Sequence, residues 1–137
     1  MSKELAGACG CGTVHYNITG PVRVVVNGHC DTCRKNNGAA YSTYCVVAQD
    51  DLKIIEGQES IATYETSGGV EKRACSKCAT PPLYTAHHKY PGMYMVYYGS
   101  LSENFSVTPG FNIYCENKLP WVENITAIKS FDQSVER

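Results

Sequence analysis

Gly7-Ala8-Cys9-Gly10-Cys11-Gly12-Thr13-Val14-His15-Tyr16-Asn17-Ile18 decides how the rest of the chain is read, because it sets a Cys-x-Cys pair directly before a strand. Val14, Tyr16 and Ile18 alternate with Thr13, His15 and Asn17, the two-residue period of a strand with one buried face, and Gly20-Pro21 ends it. In extended chain, residues two apart face the same side, so Cys9 and Cys11 can present both sulfurs to one ion. Cys75-Ser76-Lys77-Cys78 offers a second pair from a tight knuckle. Two such pairs make a closed tetrahedral thiolate site that suits zinc and leaves no position for a substrate, so the site reads as structural. The competing reading is two unrelated pairs, one of them a redox dithiol, but Cys-x-Cys spacing suits an unstrained disulfide poorly.

Working outward, strand signals recur to the end of the chain. Val22 to Val26 is almost entirely β-branched, Tyr41 to Val47 mixes aromatic and β-branched residues, and Leu52 to Ile55 lies between Asp50-Asp51 and Glu56-Gly57. Ile61 to Thr66 and Val70 to Cys75 flank Ser67-Gly68-Gly69, a hairpin signal. Tyr94 to Tyr98 and Phe111 to Cys115 complete the set, punctuated by Gly99-Ser100 and Pro109-Gly110. No long segment carries an apolar stripe of helical period, and there is no repeat, linker or low-complexity tract. The expectation is a mainly β chain, with residues 1–137 forming a single domain.

Charge and composition narrow the partners. Charged residues are only 18% and the formal charge is −1, so no basic surface exists to neutralise the phosphates of a nucleic acid or an anionic membrane. No apolar run approaches the roughly 20 residues that span a bilayer, and Met1 to Gly12 lacks the basic flank and apolar stretch of a secretion signal. The expected compartment is the cytoplasm, with neither nucleic acid nor membrane as partner. In that reducing setting the eight cysteines read as metal ligands or redox centres, rather than as a secreted disulfide scaffold.

The order Gly7-Ala8-Cys9-Gly10-Cys11-Gly12-Thr13-Val14, His29-Cys30-Asp31-Thr32-Cys33-Arg34, Cys75-Ser76-Lys77-Cys78-Ala79-Thr80-Pro81, Gly99-Ser100-Leu101 and Leu119-Pro120-Trp121 resembles the glutathione-dependent formaldehyde-activating enzyme family, also called the CENP-V/GFA domain. The resemblance covers almost the whole chain. It implies a zinc-stabilised Mss4-like (β-tent) fold of antiparallel sheets. It also implies carbon-sulfur lyase chemistry on a small-molecule partner, a glutathione or other thiol adduct of an aldehyde such as formaldehyde. The family's structural zinc ligands fall on Cys9, Cys11, Cys75 and Cys78. Its second, catalytic zinc uses three cysteines, of which two fall on Cys30 and Cys33 while the first falls on Gly28. A catalytic zinc normally keeps three protein ligands and one open position, so Gly28 weakens that site. Ala79 stands where the family usually has glycine, at a cost of roughly 1 kcal/mol if φ is positive there.

Several residues carry two readings. Cys30 and Cys33 are the candidate catalytic pair, as ligands of a second zinc or as an activated thiolate; the alternative is a zinc-stabilised binding or scaffold domain without a catalytic metal. A thioredoxin-like use of Cys30 and Cys33 lacks the βαβ context it needs. Of the residues considered for the gap left at Gly28, His29 is adjacent but side by side with Cys30, so its ring points away, and Cys45, His87 and His88 can approach only through the fold. His87-His88 otherwise reads as a polar loop before Pro91-Gly92, and Cys45 and Cys115 as small core hydrophobes in strands. Arg34 reads as a partner for a substrate carboxylate or as a surface side chain, and Trp121 as a core or anchoring residue.

Overall fold

Burial follows the alternation in residues 13–18: Val14, Tyr16 and Ile18 are at most 1% exposed, while His15 faces solvent. This strand belongs to a computed structural model that describes residues 4–66, 68–79, 83–102 and 108–135. Its strands are β1 (Leu5–Ala8), β2 (His15–Ile18), β3 (Val24–Gly28), β4 (Ser42–Ala48), β5 (Leu52–Glu56), β6 (Ile61–Thr66), β7 (Val70–Cys75), β8 (Tyr84–His87), β9 (Met93–Tyr97) and β10 (Phe111–Ile113). They form a three-stranded sheet, β1-β2-β5, and a seven-stranded sheet, β10-β3-β4-β9-β8-β7-β6. Every pairing is antiparallel except that of β10 with β3, so the larger sheet is mixed at one edge.

The core joins the two sheets. Leu5, Tyr16, Ile18 and Leu52 of the smaller sheet cluster with Val25, Cys45, Val47, Tyr84 and Val96 of the larger. Each fully buried aliphatic side chain contributes roughly 1.5–3 kcal/mol by leaving water. Tyr16 fixes the seam. Its hydroxyl lies 2.5 Å from Ser100 Oγ, and its ring lies where a Cβ on Gly7 would come within 2.1 Å of Cζ. Gly7 is therefore set by close approach.

The larger sheet is apolar on its other face as well. Ladder pairing aligns Val24, Val46, Met95, Thr85 and Lys72 in one row across β3, β4, β9, β8 and β7, and Val26, Tyr44 and Tyr97 in the next. Side chains directly opposite across a ladder share a face. This second face looks onto α1 (Asp31–Asn37), a short helix capped at its start by Cys30 and ended by Gly38 in the left-handed region, φ 62°.

The structure adds three elements to the expected strands, β1, β8 and α1. The seven residues of α1 include no repeated apolar position, and its boundaries are set by caps. The hairpin of β6 and β7 is formed as read, with φ of 93° and 80° at Gly68 and Gly69; Ser67 lies outside the described residues. The last strand is a correction. It stops at Ile113 because Tyr114 turns to φ 56°, so Cys115 begins a short 3-10 turn and is exposed. Trp121 is also corrected: it lies in the 3-10 stretch Pro120–Ala127 and is 47% exposed, outside the core. Among the described residues, no helix is long and apolar enough to cross a membrane.

Candidate metal centre and thiol-lined cavity

Cys9 and Cys11 sit in the turn after β1, Cys75 closes β7, and Cys78 follows in the next turn. The fold thus brings a turn of the small sheet to a strand end of the large one. The four sulfurs all lie within 4.8 Å of one another. Cys9 to Cys11 is 3.7 Å and Cys11 to Cys75 is 3.9 Å. Sulfurs sharing a tetrahedral zinc at Zn–S distances of ~2.3 Å stand about 3.8 Å apart. The cluster can therefore hold a metal with little rearrangement, and all-sulfur donors suit zinc.

The backbone supports this arrangement. Val14 N–H donates to Cys9 Sγ at 3.3 Å, and Ala79 N–H donates to the Cys75 carbonyl at 2.9 Å. Burial pushes the Cys9 thiol up, but the Val14 amide and the Cys11 and Cys75 thiols outweigh it and leave the thiol below the ordinary cysteine value. Closing the knuckle takes Ala79 to φ 56°, the strained conformation expected of a residue standing in a glycine position. All eight cysteines are free thiols, so none serves as a structural disulfide.

Cys30 and Cys33 are held by α1. Cys33 N–H donates to Cys30 Sγ at 3.1 Å as the helix cap, and residues three apart on a helix share a face. Both line a cavity of about 560 Å³ against the second face of the larger sheet. A Cβ built on Gly28 would lie 3.6 Å from Cys33 Sγ and 3.5 Å from Tyr44 Cε1, ordinary contact distances. Gly28 is thus a side-chain-sized gap beside the dithiol. Burial, reinforced by Cys30, pushes the Cys33 thiol up to about 12. It stays protonated at neutral pH and is not an activated thiolate.

The residues considered for the gap do not fill it. Among the described residues, the only group of three or more cysteine, histidine or carboxylate ligands is Cys9, Cys11, Cys75 and Cys78. Cys45 is fully buried in the core between the sheets. His29 is buried, with Nε2 3.1 Å from Asn112 Oδ1 and its ring 5.0 Å from that of Tyr41; Nδ1 has no partner. His87 is corrected from loop to strand: it ends β8, lines the cavity, and stacks on His88. Arg34 is committed inward. It donates to the carbonyls of His29 at 2.9 Å and Asn117 at 2.5 Å and pairs with Asp31, locking α1 to the chain that follows β10.

Residues 4–117 match the model of a family described as glutathione-dependent formaldehyde-activating enzyme. The chain belongs to the glutathione-dependent formaldehyde-activating enzyme family. A solved Rhodobacter sphaeroides protein, a structural genomics target, is similar over 74% of this chain and 92% of its own, with TM-score 0.61 and 18% identity. That likeness concerns the fold, which is mainly β and consistent with the Mss4-like arrangement. The four-cysteine cluster fits a family associated with zinc. Cys30 and Cys33, by contrast, are not part of a group of three or more metal-ligating side chains among the described residues.

Sequence reasoning missed the cavity wall. Its signal was present in β4 and β9, where Val46-Val47 and Met95-Val96 are apolar on both faces, because a strand apolar on both sides needs cover on both.

Proposed function

We propose that Cys9, Cys11, Cys75 and Cys78 hold a structural zinc, and that the chain is a carbon-sulfur lyase acting on a glutathione or other thiol adduct of an aldehyde. The observation carrying this reading is the placement of Cys30 and Cys33 on the wall of a 560 Å³ cavity, with the Gly28 gap beside Cys33. That gap leaves room for the sulfur of a bound adduct. Residues 1–137 act as one domain, in the reducing cytoplasm that free thiols require.

Two protein thiols without a third ligand do not make a catalytic zinc site, so no step is routed through a second metal. In the cleavage direction the adduct's hydroxyl gives its proton to a base as the carbon-sulfur bond breaks. The bonding pair goes to sulfur, the carbonyl forms, and the thiolate then takes the proton back. The base is solvent water at the dithiol end, because the cavity's histidine, His87, lies on β8, two strands from β4 and across the Val46–Met95–Thr85 row from Tyr44. Burial, with His88 and Lys89 adding to it, holds the His87 pKa below the ordinary histidine value, so His87 is neutral at pH 7. Cys33, kept protonated, faces the adduct sulfur as an S–H donor.

The second reading, a zinc-stabilised binding or scaffold domain, is favoured by Gly28 and by the protonated Cys33. Turnover of glutathione and formaldehyde decides between them. The lyase reading expects exchange that Cys30→Ser and Cys33→Ser each reduce by at least about 100-fold while circular dichroism stays unchanged. Rates equal to the uncatalysed reaction leave the binding domain as the function, and catalysed rates unchanged in both variants remove Cys30 and Cys33 from the chemistry.

A further inference from the structure

We infer that the cavity is built for an elongated amphiphilic thiol or its aldehyde adduct, one with an aliphatic body of several carbons and an anionic group at the end far from sulfur. This deepens the proposed function and rests on it. The order of side chains along the sheet carries the inference. At one end stand Cys30, Cys33 and the Gly28 gap, beside Tyr44 on β4. The middle of the wall is Val46 with Met93 and Met95. At the other end Lys72 of β7 and the exposed Lys89 after β8 contribute positive charge. Among the described lining residues there is no aspartate or glutamate, so with Lys72 and Lys89 the wall's formal charge favours an anion.

The spacing sets the length of the ligand. From β4 to β7 are three inter-strand steps, about 14 Å at ~4.8 Å per step. A ligand that places sulfur beside Cys33 and its anion near Lys72 must therefore carry a long body past Val46 and Met95. Glutathione has carboxylates at both ends and peptide groups flanking its sulfur, which leaves this apolar middle poorly matched. Burying an aliphatic chain there adds affinity with each methylene, and the lysines select the acid over a neutral analogue.

The test is calorimetric titration of the zinc-loaded full chain with mercaptopropionate, mercaptohexanoate and mercaptooctanoate, each bearing a terminal thiol. Mercaptooctanol serves as the uncharged control, glutathione is run beside the series, and native mass spectrometry verifies that the structural metal is retained. Affinity is expected to rise by about fourfold per added methylene. Lys72→Met with Lys89→Met should lower binding of mercaptooctanoate by at least about tenfold and leave mercaptooctanol unchanged. Lys89→Met alone, at an exposed position, gives the same direction if the double variant folds poorly. A flat series, or equal binding of acid and alcohol, overturns the inference. If glutathione binds and turns over while the series is flat, the inference falls and the lyase reading stands; if neither glutathione nor the series binds, both fall.

Discussion

Replacing Gly28 by cysteine should give this chain the second metal site that its own residues lack. The new Cβ would stand 3.6 Å from Cys33 Sγ, 3.5 Å from Tyr44 Cε1 and 3.9 Å from the Ser42 carbonyl oxygen, so nothing has to move to admit it. Its sulfur lies one bond further and can reach the roughly 3.8 Å separation of thiolates on one tetrahedral ion. Cys30 already neighbours Cys33 through the helix cap, so a third thiolate completes a three-ligand set with one open position. Affinity at this site should rise by at least about 100-fold, because even an outer-shell partner of a metal ligand is worth 10–100-fold. Cobalt titration of protein whose four-cysteine site is filled reads the change directly. The variant should develop thiolate charge-transfer absorption with one further equivalent, whereas the parent should not. A folded Gly28→Cys protein that binds no additional cobalt would show that the dithiol is misplaced for metal, and the account of Gly28 as the deciding residue would be wrong.

Other expectations follow from individual contacts. Ala79→Gly should relieve the left-handed strain of about 1–2 kcal/mol, less about 0.5–1 kcal/mol for glycine's greater freedom when unfolded, and so raise the melting temperature of the zinc form by about 2–4 °C; a lower value would contradict the strain. Gly7→Ala should cost about 1–3 kcal/mol in denaturant unfolding, because the new methyl meets the buried Tyr16 ring; a neutral result would mean that the ring relocates freely. Alkylation at pH 8 with peptide mapping should label exposed Cys115 well before Cys33, whose thiolate fraction is about 1000-fold below that of a cysteine at the reference value of 9.0; equal rates would refute the protonated Cys33. The folded pKa of His87 lies below its unfolded value of 6.5, so its contribution to stability is full above that pH and disappears as pH falls through the folded pKa. The melting temperature of the parent should accordingly fall more than that of His87→Gln between pH 7 and pH 5, and parallel curves would remove His87 from the account.

The parts of the molecule legible in the sequence are those written in local pattern. Residues 13–18 displayed their period because one face is buried against the core and the other is wet. The cluster of Cys9, Cys11, Cys75 and Cys78 was legible because Cys-x-Cys has few uses beyond sharing an ion and a second close cysteine pair completes a four-sulfur set. The hairpin of β6 and β7 was legible from Gly68 and Gly69, which take the positive φ that its turn requires. What escaped was information held by tertiary contact. β1 is Leu-Ala-Gly-Ala, too small and too short to carry a strand signal, and it pairs because Gly7 admits the Tyr16 ring. His87 sits beside a polar turn in the sequence, yet its pairing with Val70 holds it in a strand and on the cavity wall. Arg34 is one turn into a helix that its neighbours do not announce, and its partners His29 and Asn117 are joined to it only by the fold. Cys115 failed for the opposite reason: an apolar run promised a strand to residue 115, and Tyr114 turned it out to solvent.

The most direct test of the account is the zinc content of the folded chain, by native mass spectrometry with elemental analysis, on protein purified without added metal, chelator or thiol. The account predicts one zinc per chain, lost together with cooperative folding in Cys75→Ser and retained in Cys30→Ser with Cys33→Ser. A folded parent without zinc, a Cys75→Ser variant that keeps its metal and its fold, or a second zinc that disappears with Cys30 and Cys33 would contradict it.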